Sequence, residues 1–237
     1  MQPGTHHAGR SYKHLFFDLD HTLWDFQGNS RAVLAELCDE FLGPHGVHTN
    51  TFIPAYEEVN ARLWGQLDGG VIPKEVLRAM RFKQALLCFG IDDGTLARQL
   101  EECYMQRCPA RTLLMPGALD LLRDLQPHYR MHIISNGFTD IQAIKLAASG
   151  IRAFFHVVLT SEMAGASKPS ARIFRHALRS AGAQGQESLM IGDNARTDIA
   201  GGRNAGMDQV HFATRTEFDP EATYQITHLN QLREILL

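Results

Sequence analysis

The chain has 237 residues, with 23 lysines and arginines against 26 aspartates and glutamates and a formal net charge of −3. This balance leaves no excess of positive charge for a nucleic-acid backbone, so we expect no nucleic-acid polymer as a partner. Hydrophobic residues make up 44% of the chain and charged residues 21%, which is typical of a globular protein and excludes a disordered or collagen-like chain. The length suits one large α/β domain, or a core domain that carries a smaller second one.

Residues 1–12 contain neither the apolar segment of a signal peptide nor the pattern of a transit sequence, and we expect them to form a disordered leader. No apolar stretch reaches the roughly 20 residues that a membrane helix needs, so we expect no contact with a membrane. The chain has four cysteines, and none of them forms a C-x-x-C pair: Cys38, Cys88, Cys103 and Cys108. We interpret them as free thiols of a cytoplasmic protein.

The first predicted element is a short apolar run, residues 14–17, which ends at Asp18 and is typical of a buried parallel strand. Apolar residues at helical spacing follow from residue 29 to about residue 108, with no strand pattern between them. Within this block the pattern predicts helices over residues 51–63, 73–88 and 95–104. We therefore expect residues 25–111 to form an all-helical cap, inserted after the first strand.

After Pro116 and Gly117 the pattern alternates between helix and strand. The predicted helices cover residues 118–125, 141–148, 171–180, 198–205 and 229–236, and the predicted strands cover residues 131–134, 157–160, 189–191 and 209–212. Such alternation predicts right-handed βαβ units. The expected fold is an α/β core of residues 13–24 and 112–237, with a doubly wound, Rossmann-like and mostly parallel sheet.

Ligands of such sheets bind at the carboxyl ends of the strands. Four polar stretches stand at these ends: Asp18 to Thr22, Ser135 to Gly137, Lys168 with Pro169, and Gly192 to Asp198. Each alone is also compatible with a solvated turn or an ordinary helix start. Together they bring several carboxylates to one edge of the sheet, and such carboxylates repel one another unless a cation lies between them. Oxygen ligands of this kind favour Mg²⁺, while Lys168 and Ser135 offer donors to phosphate oxygens.

The order D-x-D-x-T, S-N, K-P and G-D-x-x-x-x-D resembles the haloacid dehalogenase superfamily of phosphotransferases, from about Lys13 to the C-terminus. The extended first motif, residues 17–26, together with residues 135–138, resembles more narrowly the helical-capped 5′-nucleotidases that act on pyrimidine monophosphates. Two positions depart from the family pattern. Ser170 stands where an acid often follows Lys-Pro, and His21 occupies a variable position.

The resemblance implies that Asp18 is the nucleophile, which forms an aspartyl-phosphate and divides one displacement into two. It implies that Asp20 is the general acid for the leaving group and then the base for water. Ser135, Asn136 and Lys168 are expected to bind the phosphoryl group, whose negative charge they would stabilise.

The resemblance also implies a Mg²⁺ site made by Asp18, Asp193 and Asp20, the last through its main-chain carbonyl. Thr22 is expected to hold the loop after the first strand. We expect Asp198 to orient Lys168 or a metal-bound water, with direct ligation of the metal as the alternative.

Trp24 and Phe26 follow the catalytic loop directly. They are candidates for lining the substrate chamber, where an aromatic ring can stack on a nucleobase, and the alternative is that they belong to the core.

The predicted function is a Mg²⁺-dependent phosphomonoesterase of the cytoplasm, a monomer or homodimer, which acts on small nucleoside 5′-monophosphates. A sugar-phosphate phosphatase or mutase differs only in its cap and remains an alternative. A dehalogenase or phosphonatase is less favoured, because Asp20 supplies the acid that those chemistries usually replace. A receiver-like phosphorylation switch is also less favoured, because it needs neither that acid nor a cap.

Overall fold

The computed structural model describes residues 11–213 and 219–237. Residues 1–10 of the predicted leader lie outside these ranges, whereas Tyr12 donates a hydrogen bond of 2.6 Å to the carboxylate of Asp208. The chain divides into two compact units. One contains the chain up to Phe26 together with Thr112–Leu237, and the other is Gln27–Arg111.

The first unit is built on a parallel sheet with the strand order β3-β2-β1-β4-β5-β6. Its strands are β1 (His14–Phe17), β2 (Arg130–Ser135), β3 (Phe155–Thr160), β4 (Ser188–Gly192), β5 (Asp208–Phe212) and β6 (Tyr224–Ile226). All residues of β1 and β4 are buried, because helices cover both faces of such a sheet. The prediction of a doubly wound parallel sheet is confirmed.

The sequence pattern did not predict β6. This strand has three residues, and only Ile226 among them is buried, so no periodic pattern can form. It adds to the edge of the sheet by parallel pairing with β5, which is a tertiary contact rather than a local preference.

The helices are, in chain order, α1 (Phe26–Leu37), α2 (Thr49–Asp68), α3 (Lys74–Leu87), α4 (Gly94–Arg107), α5 (Ala118–Leu125), α6 (Thr139–Ala148), α7 (Ser161–Ala164), α8 (Ala171–Ala181), α9 (Ala200–Asn204) and α10 (Leu232–Leu236). None of the helices in the described ranges is long and apolar enough to cross a membrane. The helix predicted over residues 198–205 is instead a π-helical turn, Ala195–Ile199, followed by α9. The turn begins at Asn194, whose side chain accepts hydrogen bonds from the next backbone N–H groups.

Helix α8 shows how the first unit forms its core. The side chain of Ser170 caps its first turn, and Gly182 ends it in the left-handed conformation. Its apolar face packs Ile173, Phe174 and Ala177 against the sheet. The buried side chains that they join come from neighbouring strands and include Phe16, Ile134, Leu159 and Met190.

The regular structure of the second unit, Gln27–Arg111, is entirely helical. The unit contains α1 without its first residue, together with α2, α3 and α4. Aromatic rings fill its interior: Phe52, Tyr56, Phe82 and Tyr104. A buried ion pair crosses this interior, because Arg81 donates two hydrogen bonds, of 2.6 and 2.7 Å, to Glu101. This bidentate contact joins α3 and α4. It offsets the free-energy cost of burying the guanidinium charge of Arg81.

Candidate active site

Asp18 lies directly after β1 and stands at the centre of the polar site. Its Oδ1 accepts a hydrogen bond of 2.5 Å from the ammonium of Lys168. The same ammonium lies 2.6 Å from Oδ1 of Asp198, and all three side chains are buried. One positive charge therefore joins carboxylates that follow β1 and β4, which are neighbours in the sheet.

Asp18, Asp193 and Asp198 form an acidic cluster, with one oxygen of each within 4.8 Å of the others. Burial, together with the Asp198 and Asp193 carboxylates, raises the pKa of Asp18 well above its usual range, although Lys168 opposes this shift. Burial and Asp198 also raise the pKa of Asp193, to about 6. The cluster has three carboxylates against the single ammonium of Lys168, an excess of negative charge that a divalent cation would balance, and carboxylate oxygens are the ligands that Mg²⁺ prefers.

Glycine at position 192, the last residue of β4, allows Asp198 to come close. A Cβ atom at this position would overlap with the carboxylate of Asp198. The backbone N–H of Asn194 donates to Oδ2 of Asp198 at 3.2 Å, which further restricts this side chain. Asp198 thus contacts the Lys168 ammonium, and it also belongs to the acidic cluster.

Asp193 is held from two sides. Thr22, fully buried, donates a hydrogen bond of 3.4 Å to Oδ1 of Asp193, so it connects the loop after β1 with the loop after β4. His211 on β5 lies with Nε2 at 3.0 Å from the main-chain oxygen of Asp193. Its Nδ1 accepts a hydrogen bond from the backbone N–H of Asp219, which places the ring proton on Nε2.

Asp20 stands apart from the acidic cluster and has partners of its own. Lys145 donates to its Oδ1 at 2.5 Å, and Gln142 donates to its Oδ2 at 2.7 Å. Burial would raise the pKa of Asp20, but the Lys145 charge and these two hydrogen bonds outweigh it and lower the pKa below its usual range. Lys145 and Gln142 therefore favour the ionised form of the Asp20 carboxylate and fix its position.

Ser135 and Asn136 end β2 and begin the following loop. The Oγ of Ser135 accepts hydrogen bonds from Gln142 Nε2 at 2.7 Å and from the backbone N–H of Gly137 at 3.0 Å, so its own proton is left to be donated. The Asn136 side chain accepts from the Lys168 N–H at 2.8 Å and donates to the Lys168 carbonyl at 3.2 Å. Asn136 therefore holds the main chain of Lys168.

The two aromatic residues after the loop of Asp18 to Thr22 lie in different environments. Trp24 is fully buried, and the Lys145 ammonium lies 4.3 Å from the centre of its ring. Phe26 is partly exposed, with the same ammonium 5.3 Å from its ring centre. The structure thus gives Trp24 the alternative role, that of a core residue, because a buried ring offers no face for stacking on a base. For Phe26 the role in substrate binding stays a prediction.

Sequence reasoning missed Gln142, Lys145 and His211. Gln142 and Lys145 are buried polar side chains three residues apart on α6, next to Leu146. The sequence feature that could have indicated them is a glutamine and a lysine on the same side of the helix as an apolar residue. His211 is a buried polar residue within the apolar strand β5, and its role depends on the neighbouring strand.

Residues 12–206 match the family model of the haloacid dehalogenase-like hydrolases. The chain is 34% identical to the pyrimidine 5′-nucleotidase PynA of Streptococcus pneumoniae, with 95% of both chains covered. It is 30% identical to the pyrimidine 5′-nucleotidase YjjG of Escherichia coli, over 94% of this chain and 96% of the relative. The crystal structure of the HAD-hydrolase YfnB of Bacillus subtilis, bound to magnesium, superimposes with a TM-score of 0.86 at 28% identity, over 96% of this chain and 99% of that one. The chain belongs to the haloacid dehalogenase-like hydrolases, as its motifs predict.

Proposed function

We propose that this protein is a Mg²⁺-dependent phosphatase that hydrolyses pyrimidine nucleoside 5′-monophosphates through an aspartyl-phosphate on Asp18. The observation that carries the proposal is the buried contact between Asp18 and Lys168, inside a cluster that also contains Asp193 and Asp198. A nucleophilic carboxylate, a cation for the phosphoryl oxygens and a set of oxygen ligands are the parts that phosphoryl transfer needs.

The donor set fits magnesium, because it consists of carboxylates and carries more negative charge than Lys168 balances. Asp18 and Asp193 would hold the ion, with the Asp20 carbonyl and, as the alternative, Asp198. When bound, the ion supplies positive charge that stabilises the oxygens of the transferring phosphoryl group.

In the first step an oxygen of Asp18 attacks phosphorus while the bond from phosphorus to the ester oxygen breaks. Lys168 already holds Oδ1 of Asp18, which leaves Oδ2 as the attacking atom. Lys168 and the Ser135 hydroxyl donate hydrogen bonds to the phosphoryl oxygens. Asp20 gives its proton to the departing alkoxide.

In the second step a water oxygen attacks the phosphorus of the aspartyl-phosphate, and Asp20 accepts the proton of that water. Inorganic phosphate leaves and the Asp18 carboxylate is restored. Lys145 and Gln142 hold Asp20 in the ionised form that this step requires. The first step requires the acid form, so Asp20 takes up a proton from solvent when the substrate binds, and after the second step it returns to solvent the proton that it accepted from water.

The substrate assignment rests on the similarity to two pyrimidine 5′-nucleotidases over almost the whole chain. We assign substrate selection to the helical unit, as the cap, and to the partly exposed ring of Phe26. A flat ring favours stacking on a base, worth roughly 1 to 3 kcal/mol, which a sugar phosphate cannot use. We place the enzyme in the cytoplasm, as a monomer or homodimer, in keeping with its free cysteines.

Release of phosphate from pyrimidine nucleotides, purine nucleotides, hexose phosphates and an aryl phosphate, with and without Mg²⁺, tests the proposal. We expect the highest kcat/KM for pyrimidine nucleotides, and no turnover by Asp18→Asn. Asp120→Asn, which changes an exposed aspartate on α5, is the matched control and should remain fully active. Substantial turnover by Asp18→Asn would refute the nucleophile, whereas equal kcat/KM for a hexose phosphate would refute the substrate alone.

A further inference from the structure

Gln142 on α6 is a fully buried side chain that links two other groups of the candidate active site. Its Nε2 donates one hydrogen bond of 2.7 Å to Oδ2 of Asp20 and a second one of 2.7 Å to Oγ of Ser135. Because both acceptors lie at this distance from the same nitrogen, the separation between them cannot exceed twice that distance. One amide group therefore limits the spacing between a carboxylate that follows β1 and a hydroxyl at the end of β2.

The orientation of this amide leaves its oxygen without a partner. Gln142 Oε1 is buried and accepts no hydrogen bond from the described part of the chain. An unpaired buried oxygen is unfavourable, so the two hydrogen bonds at Nε2 must offset this cost. In the opposite orientation Oε1 would face the Asp20 carboxylate, and two acceptors would repel each other. The carboxylate of Asp20 thus determines which end of the Gln142 amide faces Ser135.

The amide in turn determines what the Ser135 hydroxyl can do. Its Oγ accepts hydrogen bonds from Gln142 and, at 3.0 Å, from the backbone N–H of Gly137. A hydroxyl oxygen has two lone pairs and one proton, so both lone pairs are occupied. The proton of Ser135 must therefore point away from both donors. In the proposed reaction, a phosphoryl oxygen is the acceptor for this proton.

The two oxygens of Asp20 have different partners. Lys145 holds Oδ1 at 2.5 Å with a full positive charge, whereas the neutral amide of Gln142 holds Oδ2. Engagement of Oδ1 by the ammonium leaves Oδ2 as the oxygen that faces the leaving group. The oxygen of Asp20 that lies nearest to Gln142 is thus also the one whose distance from Ser135 is limited.

We propose that Gln142 is a positioning residue, which sets the spacing between Oδ2 of Asp20 and the hydroxyl of Ser135 and directs that hydroxyl towards the phosphoryl group. The inference rests on the proposed phosphatase function, in which Asp20 acts on the leaving oxygen and Ser135 on another oxygen of the same phosphoryl group. Both substrate oxygens are bonded to one phosphorus atom, so their two protein partners must keep a fixed spacing. Gln142 supplies this spacing without contacting the substrate.

Gln142→Met tests the inference, because it removes both hydrogen bonds and retains an unbranched side chain of similar length. Calorimetric titration of the Mg²⁺-loaded protein with inorganic phosphate reports on Ser135, and we expect the affinity to fall about threefold or more. Turnover of a pyrimidine nucleotide and of aryl phosphates with phenols of graded acidity reports on Asp20. We expect kcat to fall about tenfold or more for the nucleotide and progressively less as the phenol becomes more acidic. Gln126→Met, at an exposed glutamine of the same unit, is the matched control.

Two further variants separate positioning from a merely structural role. Gln142→Glu keeps the shape of the side chain but places a carboxylate oxygen where Nε2 donates. This oxygen would repel Asp20 and accept the proton of Ser135, so phosphate affinity and nucleotide turnover should both fall further than in Gln142→Met. In a Ser135→Ala background, Gln142→Met should cause little additional loss of phosphate affinity, because the hydroxyl that it directs is absent.

Thermal unfolding identifies variants that fold poorly. If Gln142→Met is one of them, Gly137→Ala takes its place, because a Cβ atom at position 137 would overlap with the Gln142 side chain and displace it. The same two losses are then expected. Wild-type phosphate affinity together with an equal loss of kcat across the aryl series would overturn the inference. Absence of turnover in the wild type would refute the proposed function, whereas the phosphate titrations would still decide whether Gln142 directs Ser135.

Discussion

The partners of Asp20 separate its chemistry from that of the other carboxylates. Asp18 and Asp198 share the charge of Lys168, whereas Asp20 contacts Lys145 and Gln142. The same residue type is thus placed in two electrostatic environments. Burial and neighbouring carboxylates raise the pKa of Asp18, whereas a neighbouring ammonium lowers that of Asp20. Such a difference is what divides a nucleophile from an acid and base in one site.

We expect Asp20→Asn to lose activity in proportion to the need of the leaving group for a proton. Alkyl phosphates, including nucleotides, should lose about 10² to 10⁴-fold in kcat, the usual contribution of a general acid. An aryl phosphate with an acidic phenol should lose much less in its first step. Pre-steady-state release of the phenol measures this step alone. An equal loss with both classes would show that Asp20 acts only in structure or metal binding.

We expect Lys145→Met to remove the ammonium that lowers the pKa of Asp20. Burial then raises this pKa against only the weaker opposing effects of Gln142 and His21, so the limb of the pH–rate profile that reports on Asp20 should move to higher pH. The value of kcat should fall by about tenfold or more, because Asp20 also loses one of its two anchors. Lys83→Met, at an exposed lysine, is the control. An unchanged pH profile would contradict the positioning role of Lys145.

At the scale of the elements, the ends of neighbouring strands decide which side chains meet. β1 lies between β2 and β4, so Asp18 comes beside both Ser135 and the loop that follows Gly192. Close approach at these ends requires small residues. At Gly192 and at Gly137 a Cβ atom would overlap with the side chains of Asp198 and Gln142 respectively.

Gly192→Ala should therefore displace Asp198 and, through it, the Lys168 ammonium. We expect a loss of about tenfold or more in kcat, since Lys168 contacts Asp18, the proposed nucleophile. Gly65→Ala is the matched control, because an added methyl group there meets no atom within 4 Å. Kinetics and thermal unfolding of both variants check the prediction. Wild-type kcat in Gly192→Ala would show that the site adapts to the extra carbon.

Histidines on three adjacent strands predict a pH-dependent stability: His14 on β1, His132 on β2 and His156 on β3. His132 has a pKa of about 3 in the folded state, below the ordinary value of 6.5, so the unfolded chain binds more protons between these values. The free energy of unfolding should consequently fall as pH decreases from about 6.5, by up to about 1.4 kcal/mol per pH unit for this group. Urea unfolding at pH 7 and pH 5 should show a smaller fall in His132→Gln. His128→Gln, at an exposed histidine, should behave as the wild type, and an identical fall in His132→Gln would contradict the assignment.

At the scale of the whole molecule, the acidic cluster would link the stability of the fold to a bound cation. Three carboxylates with one ammonium repel one another in the metal-free protein. A cation that binds only the folded state stabilises it by an amount that grows with its concentration, about 2.7 kcal/mol at one hundred times Kd.

Mg²⁺ should therefore raise the Tm of the wild type and restore activity that EDTA has abolished. In Asp193→Asn, Mg²⁺ should raise the Tm little or not at all, because this variant lacks one of the proposed metal ligands. Without metal, Asp193→Asn should be at least as stable as the metal-free wild type. The control Asp120→Asn, at an exposed aspartate, should show the same Mg²⁺-dependent rise of Tm as the wild type. Full activity in EDTA, or the same Mg²⁺-dependent rise of Tm in Asp193→Asn, would refute the metal assignment.

Local information in the chain was sufficient to predict the α/β class, the motifs of the family and the strand ends on which these motifs lie. The apolar run of β1 and the acids that follow it are adjacent in sequence, and parallel strands must place such ends on one edge of the sheet. That argument selected Asp18, Asp20, Ser135, Lys168 and Asp193 as candidate site residues without coordinates. The family match confirms the superfamily to which these motifs pointed.

Contacts between distant segments could not be derived in this way. Lys145 and Gln142 on α6 meet Asp20 across more than 120 positions of the chain, and His211 meets Asp193 only because β5 pairs with β4. The same holds for the burial of Trp24 under Lys145 and for the addition of β6. The periodicity of the sequence indicates which face of a helix or strand is apolar. The residues that this face contacts depend on the order of the strands and on the packing of the helices.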